Sequence, residues 1–267
     1  MYASSNQTVQ SHPYSITISI MPHAVQDIEV SLLQKKAYRL PRIKALPREL
    51  LRLTQRLLDL QELYTQSHLS QSIDRQLLTI SKSGHTITRI LSLGLGSLFV
   101  AKSQSRRLKQ LAILLSIRHQ LHEARREPIE VYAQDPTFTR LDETLLVSLG
   151  IQILRTSSGS DLGEAASVIS PTTLVYSPFL TLEAYEQLFL RTAMPVHYLV
   201  GDDFNALLQK WPKRSAERTQ VEGLLKYGLA RYRRKALTGE GYWTAEDETF
   251  PSAVYIVADK VLARAKM

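Results

Sequence analysis

Ile87-Thr88-Arg89-Ile90-Leu91-Ser92-Leu93-Gly94-Leu95-Gly96-Ser97 is the stretch that decides the architecture. A short apolar run closes on a pair of glycines, and a helical pattern follows from Ser103 to about Glu123. Strand, tight turn and helix in that order are the opening of a βα unit. The rhythm continues downstream. Ile129–Ala133 is strand-like and stops near Asp135-Pro136, and Thr139–Leu149 reads as a helix closed by Gly150. Gln152–Leu154 is a short strand, and the loop Thr156–Gly163 leads through a weak helix to a strand at Thr173–Ser177, ended by Pro178. Leu182–Thr192 is helical, Val196–Val200 is a strand, and Gly201-Asp202-Asp203 opens another helix. Strands alternating with helices in this way predict an α/β, Rossmann-like, doubly wound and mostly parallel sheet of five or more strands.

On the N-terminal side, Pro47 and Glu49 signal a helix start. Leu50, Leu53, Leu57, Leu60 and Tyr64 then recur at helical spacing, while Arg48, Arg52 and Arg56 fall on a different face. Residues 1–46 are expected to be a flexible, basic tail, with Tyr14–Ile20 able to form a strand. Residues 47–267 are expected to be one α/β domain with helical extensions. At the C-terminal side, Ser215–Lys235 can be helical, with Leu224, Leu225, Leu229 and Tyr232 on one side. Ala253–Val257 reads either as a last strand or as the start of a helix running to Ala265.

The chain has 267 residues, no cysteine and a net charge of +8. Absence of cysteine excludes disulfides, thiolate nucleophiles and Cys-based zinc sites, and is compatible with a reducing compartment. No run is long and apolar enough for a membrane-spanning helix, and the first residues lack the pattern of a secretory signal. The charge is concentrated. Lys35–Arg56 carries eight basic residues against Glu49, and Lys210–Lys235 carries nine against Glu217 and Glu222. Each segment is +7, so the remainder is −6. Aromatic residues that could stack on bases are sparse there (Tyr38; Trp211, Tyr227 and Tyr232), so a clamp on nucleic acid is not expected.

Ligands of open α/β sheets bind beyond the carboxyl ends of the strands, and this nominates Gly94, Gly96, Ser97, Asp135, Ser177, Gly201 and Asp202 as ligand-binding residues along one sheet edge. Glycines after a strand permit positive φ and close approach of backbone N–H groups to a phosphate or carboxylate. Gly94-x-Gly96 supplies the first two glycines of a dinucleotide fingerprint, but Phe99 stands at the third. Asp202 and Asp203 could bind ribose hydroxyls, assist proton transfer or cap the next helix, capping being the commonest role. His119 and His122 lie at i and i+3, where both could face a metal, although the charged residues around them suggest a solvated helix end. No metal site is expected, and no motif nominates a catalytic nucleophile or base.

Leu93-Gly94-Leu95-Gly96-Ser97, Gln110-Leu111-Ala112, Val131-Tyr132-Ala133-Gln134-Asp135-Pro136-Thr137-Phe138-Thr139, Leu149-Gly150, Thr173-Leu174-Val175-Tyr176-Ser177-Pro178 and Val200-Gly201-Asp202-Asp203-Phe204 occur in that order. As an ordered set they resemble the sensitivity-to-red-light-reduced (SRR-like) domain family, over about residues 85–210. Three positions depart from the family pattern: Gln134 is inserted, Phe179 stands where histidine typically follows the proline, and Asp202 stands where asparagine is typical. The resemblance implies a regulatory or signalling protein of the cytoplasm and nucleus, acting through protein partners, with circadian, cytoskeleton-linked or haem-linked roles in the family. Two alternatives stand beside it. One is a methyltransferase-like enzyme using S-adenosylmethionine, since Gly-x-Gly after the first strand and an acid at the tip of the second suit that cofactor as they suit a nucleotide. The other is a weak nucleic-acid-binding protein.

Overall fold

The computed structural model describes residues 48–82, 86–192, 194–247, 249 and 251–258. The expected tail 1–46, its Tyr14–Ile20 strand, Pro47, the basic residues from Lys35 to Lys44 and any helix reaching Ala265 lie outside the described residues.

Two helices, α1 (Arg48–Thr65) and α2 (His68–Lys82), precede the first strand. The leucine stripe of α1 is core: Leu50, Leu53, Leu57 and Tyr64 are buried. Burying each such leucine contributes roughly 1.5–3 kcal/mol. The α2 helix went unread in the sequence although Leu69, Ile73, Leu77 and Ile80 carry its buried stripe. The βα units then run β1 (Arg89–Leu93), α3 (Gln104–Arg125), β2 (Glu130–Gln134), α4 (Arg140–Ser148), β3 (Ile151–Leu154), α5 (Ala165–Val168), β4 (Thr173–Ser177), α6 (Leu182–Glu186) with a π-turn to Arg191, β5 (Tyr198–Asp202) and α7 (Phe204–Lys210).

The sheet has seven strands in the order β3-β2-β1-β4-β5-β7-β6, where β6 is Tyr232–Ala236 and β7 is Ser252–Val257. β1 to β5 are parallel, and β7 lies antiparallel between β5 and β6. Side chains alternate across it. Ile90, Leu174, Tyr176, Val200 and Ile256 join the core beneath α1–α4, while Leu91, Val175, Leu199 and Tyr255 join the core beneath α5–α7. The α3 helix is buried nearly all round from Leu108 to Leu115, since it packs between the sheet and α1. A doubly wound, mostly parallel α/β fold is therefore the architecture.

The region after α7 departs from expectation. Ser215–Lys235 is not one helix. It divides into α8 (Ala216–Gly223), a π-turn over Leu224–Gly228 and the strand β6. The apolar spacing of Leu224, Leu225, Leu229 and Tyr232 fits a helix, but pairing with β7 takes the last of them into the sheet. Of the two readings of Ala253–Val257, the strand is the one adopted. Its run of β-branched and aromatic residues is buried on both faces.

Candidate functional site at the carboxyl edge of the sheet

From β1 the chain steps outward through β2 to β3, then returns to the other side of β1 for β4 and β5. The connections after β1 and β4 leave the carboxyl edge in opposite directions, which is the place where open sheets of this type form a crevice. All seven sequence-nominated residues lie along this edge. They form two knots.

The first knot ties the β1 turn to the β2 turn. Gly94 and Gly96 have φ of +74° and +73°, a region that β-branched side chains rarely enter. Space is restrictive at Gly94, where a Cβ would lie 2.6 Å from the backbone carbonyl oxygen of Phe179; at Gly96 a Cβ would meet only the Arg107 side chain, 2.6 Å from its Nε. Three successive amides of this turn are already used. Gly96 N–H donates to Asp135 Oδ2 (2.7 Å), Ser97 N–H to Thr137 Oγ1 (3.1 Å) and Leu98 N–H to Asp142 Oδ1 (2.6 Å). The other oxygen of Asp135 accepts from the Thr137 amide and hydroxyl, at 2.8 and 2.5 Å. Asp142 is fully buried and also closes the capping box of α4 with Thr139. Arg107 donates to the Ser97 carbonyl (2.8 Å), and the guanidinium of Arg106 lies 4.3 Å from the centre of the Phe179 ring. The N-terminus of α3 is set back from the turn, beginning only at Gln104.

The second knot joins β4 to β5. Ser177 stands opposite Gly201 in the register, and both are buried. The fully buried Tyr185, from α6, places its hydroxyl 2.8 Å from the Ser177 carbonyl oxygen, 3.1 Å from Ser177 Oγ and 3.2 Å from Asp202 Oδ2. The same hydroxyl accepts the Asp202 N–H at 3.3 Å. A phenol has one proton to give. The Ser177 carbonyl, at the shorter distance, and Asp202 Oδ2 compete for it, so Tyr185 supports the Asp202 carboxylate only weakly. Electrostatics agree: burial pushes the Asp202 carboxyl up to about 8, against the hydrogen bond from Tyr185 and the charge of Lys210. Asp202 is thus a neutral acid near pH 7, aligned in a Ser177–Tyr185–Asp202 chain. Its neighbour Asp203 has the capping role: it accepts from the Asn205 amide at 3.0 Å and forms a two-pronged ion pair with Arg234.

Sequence reasoning reached Asp202 but missed Tyr185, Asp142 and Thr137. Thr139-x-x-Asp142 is a capping-box signal that could have found Asp142; nothing local marks Tyr185. His122 Nδ1 lies 2.9 Å from the Glu127 carbonyl oxygen, closing the end of α3. Among the described residues, no three His, Asp or Glu side chains are grouped to hold a metal ion. Nor is any described helix long and apolar enough to cross a membrane. A cavity of about 220 Å³ lined by Ile80, Thr86, Ile87 and Leu121 lies before β1, away from the carboxyl edge.

The ordered turns, the glycine geometry and the sheet agree with one further observation: the family model of the SRR1 domain matches residues 60–237. The chain belongs to the SRR1 domain family. No curated protein matches it significantly. Among solved structures it is similar to cofactor-bound Rv0187 from MTB, at 10% identity and a TM-score of 0.38, over 87% of this chain and 89% of that chain. It is also similar to the O-methyltransferase from Bacillus cereus in complex with SAH, at 10% identity and a TM-score of 0.40, over 91% and 94%. In this SRR1 domain two of the three departures from the family pattern, Phe179 and Asp202, bear directly on the carboxyl edge. Phe179 offers Arg106 an aromatic face and no titratable group. Asp202, protonated, presents one donor and one acceptor, as an asparagine amide does.

Proposed function

We propose that this SRR1-domain protein is a regulatory, ligand-sensing domain, formed by residues 47–267, that acts through protein partners in the cytoplasm and nucleus. The observation supporting this reading is the self-occupied β1 turn. The amides of Gly96, Ser97 and Leu98, which would cradle an anionic group, are donated to Asp135, Thr137 and Asp142. The backbone at Phe179 closes on Gly94 from the β4 side. A nucleotide or S-adenosylmethionine entering between β1 and β4 has to displace these contacts. Occupancy is therefore coupled to rearrangement of the surface loops, which is what sensing requires. The circadian, cytoskeleton-linked and haem-linked roles that the family resemblance implies are of this regulatory kind.

Hydrogen exchange with and without a panel of nucleotides and S-adenosylmethionine tests the reading. Changed exchange in 94–99 and 177–182, with the ligand recovered intact, is the expected result. No change with any member of the panel would sink it.

A second reading, an S-adenosylmethionine-dependent methyltransferase, is favoured by one observation: the acid at the tip of β2, Asp135, reaches Gly96 of the β1 turn. On that reading Asp135 exchanges Thr137 for ribose hydroxyls. Binding at about 100 times Kd should then stabilise the fold by about 2.7 kcal/mol, and methyl transfer to an acceptor should be measurable. The weak nucleic-acid reading gains less. Arg48 and Arg52 are exposed, but Arg56 contacts Gln104 Oε1 at 3.5 Å, and the second basic segment is divided between α8 and an edge strand.

A further inference from the structure

The sheet ends at β6, and among the described residues no strand lies beyond it. Its sequence, Tyr232-Arg233-Arg234-Lys235-Ala236, is unusual for a strand because three of its five residues are basic. Hydrogen bonding at both ends defines which backbone groups it has to offer. Leu237 N–H donates to the Ser252 carbonyl and Ala258 N–H donates to the Arg231 carbonyl, each at 2.9 Å. In an antiparallel pair the bonded positions alternate. With Tyr232 opposite Val257 and Ala236 opposite Ala253, residues 233 and 235 turn their backbone groups to β7. The N–H and C=O groups of Arg234 and Ala236 therefore face away from β7, along the outer edge. Arg231, Arg233 and Lys235 are exposed beside them.

We propose that the outer edge of β6 is a docking site for an extended, acidic polypeptide segment, which joins the sheet as an eighth strand. Charge selects the occupant. A second copy of this edge would bring like charges together, so the basic residues close the edge to self-pairing. An acidic strand meets the same residues as counter-charges. The backbone selects against nucleic acid: an edge presents alternating donors and acceptors, which another polypeptide matches, whereas a phosphate backbone offers acceptors that the outward carbonyls repel. Arg234 is held by Asp203, so its main chain is presented on a strand anchored to the start of α7.

This surface is distinct from the β1–β4 crevice, and its test uses no small ligand, so either reading can fail alone. The probe is a fluorescent, end-blocked peptide of alternating glutamate and valine, followed by anisotropy with the full chain at about 150 mM salt. Binding is expected, and the same peptide N-methylated at alternate residues should bind at least about tenfold more weakly. Arg231→Glu with Lys235→Glu should weaken the parent peptide by a similar factor. Ala236→Pro removes one outward donor while leaving the β7 ladder intact, a change tolerated at edges, and should also weaken it. Equal binding of the methylated peptide would overturn strand addition, even if Ala236→Pro failed to fold. Tighter binding of oligo-dT than of the peptide would overturn the choice of partner.

Discussion

Replacing Asp202 by asparagine should make the protein more stable at alkaline pH and leave it nearly unchanged in acid. The carboxyl group is raised from its ordinary 3.8 to about 8, chiefly by burial. Between those values the folded state holds a proton that the unfolded chain releases. Stability therefore falls as pH rises from about 4 to about 8, because the folded state binds more protons than the unfolded one. A shift of about four units at 1.36 kcal/mol each sets a ceiling on the order of 5 kcal/mol. Asparagine keeps one donor and one acceptor toward Tyr185 and carries no such cost. Urea unfolding of the wild type and Asp202→Asn at about half-unit pH steps measures the difference directly. The expected curve for the stability difference is near zero at about pH 4, climbs through neutrality and levels above about pH 8. A difference independent of pH, or an asparagine variant that loses ground as pH rises, would refute the reasoning. Tyr185→Phe should lower the stability of both proteins by leaving the Asp202 amide without its partner, by roughly 1–3 kcal/mol.

Gly96→Val should cost about 1–3 kcal/mol through the positive φ of this turn; a Tm equal to wild type would show that the turn does not need glycine. Lys109 and Asp247 form a buried ion pair 2.5 Å apart that clamps the β6–β7 connection onto α3. Lys109→Met should therefore destabilise by about 3–5 kcal/mol, read as a lower urea midpoint, and a wild-type midpoint would mean the clamp is dispensable. Arg52→Gln with Arg56→Gln should shift stability by no more than about 0.5 kcal/mol, since both lie outside the core stripe of α1. Gel-shift binding to nucleic acid tighter than about micromolar at physiological salt, lost in that double variant, would promote the nucleic-acid reading.

Local signals carried the β1–β5 framework. Apolar runs closed by glycine or proline marked the ends of β1, β2, β4 and β5, and strand ends necessarily share one edge once parallel pairing is accepted. The same locality explains Gly94 and Gly96, whose positive φ is a property of the turn itself. The sequence by itself could also have supplied Asp142, through its capping box. Three matters were decided only by tertiary structure. Leu224, Leu225, Leu229 and Tyr232 suit a helix by spacing, and only β7, some 20 residues onward, draws Tyr232–Ala236 into a strand. Lys109 and Asp247 are 138 positions apart, and no periodicity relates them. Asp202 reads as a polar residue at a helix start, yet Tyr185 and the surrounding core make it a neutral acid. Protonation follows from which groups surround a carboxyl in space, and that neighbourhood exists only after β4, β5 and α6 have packed together.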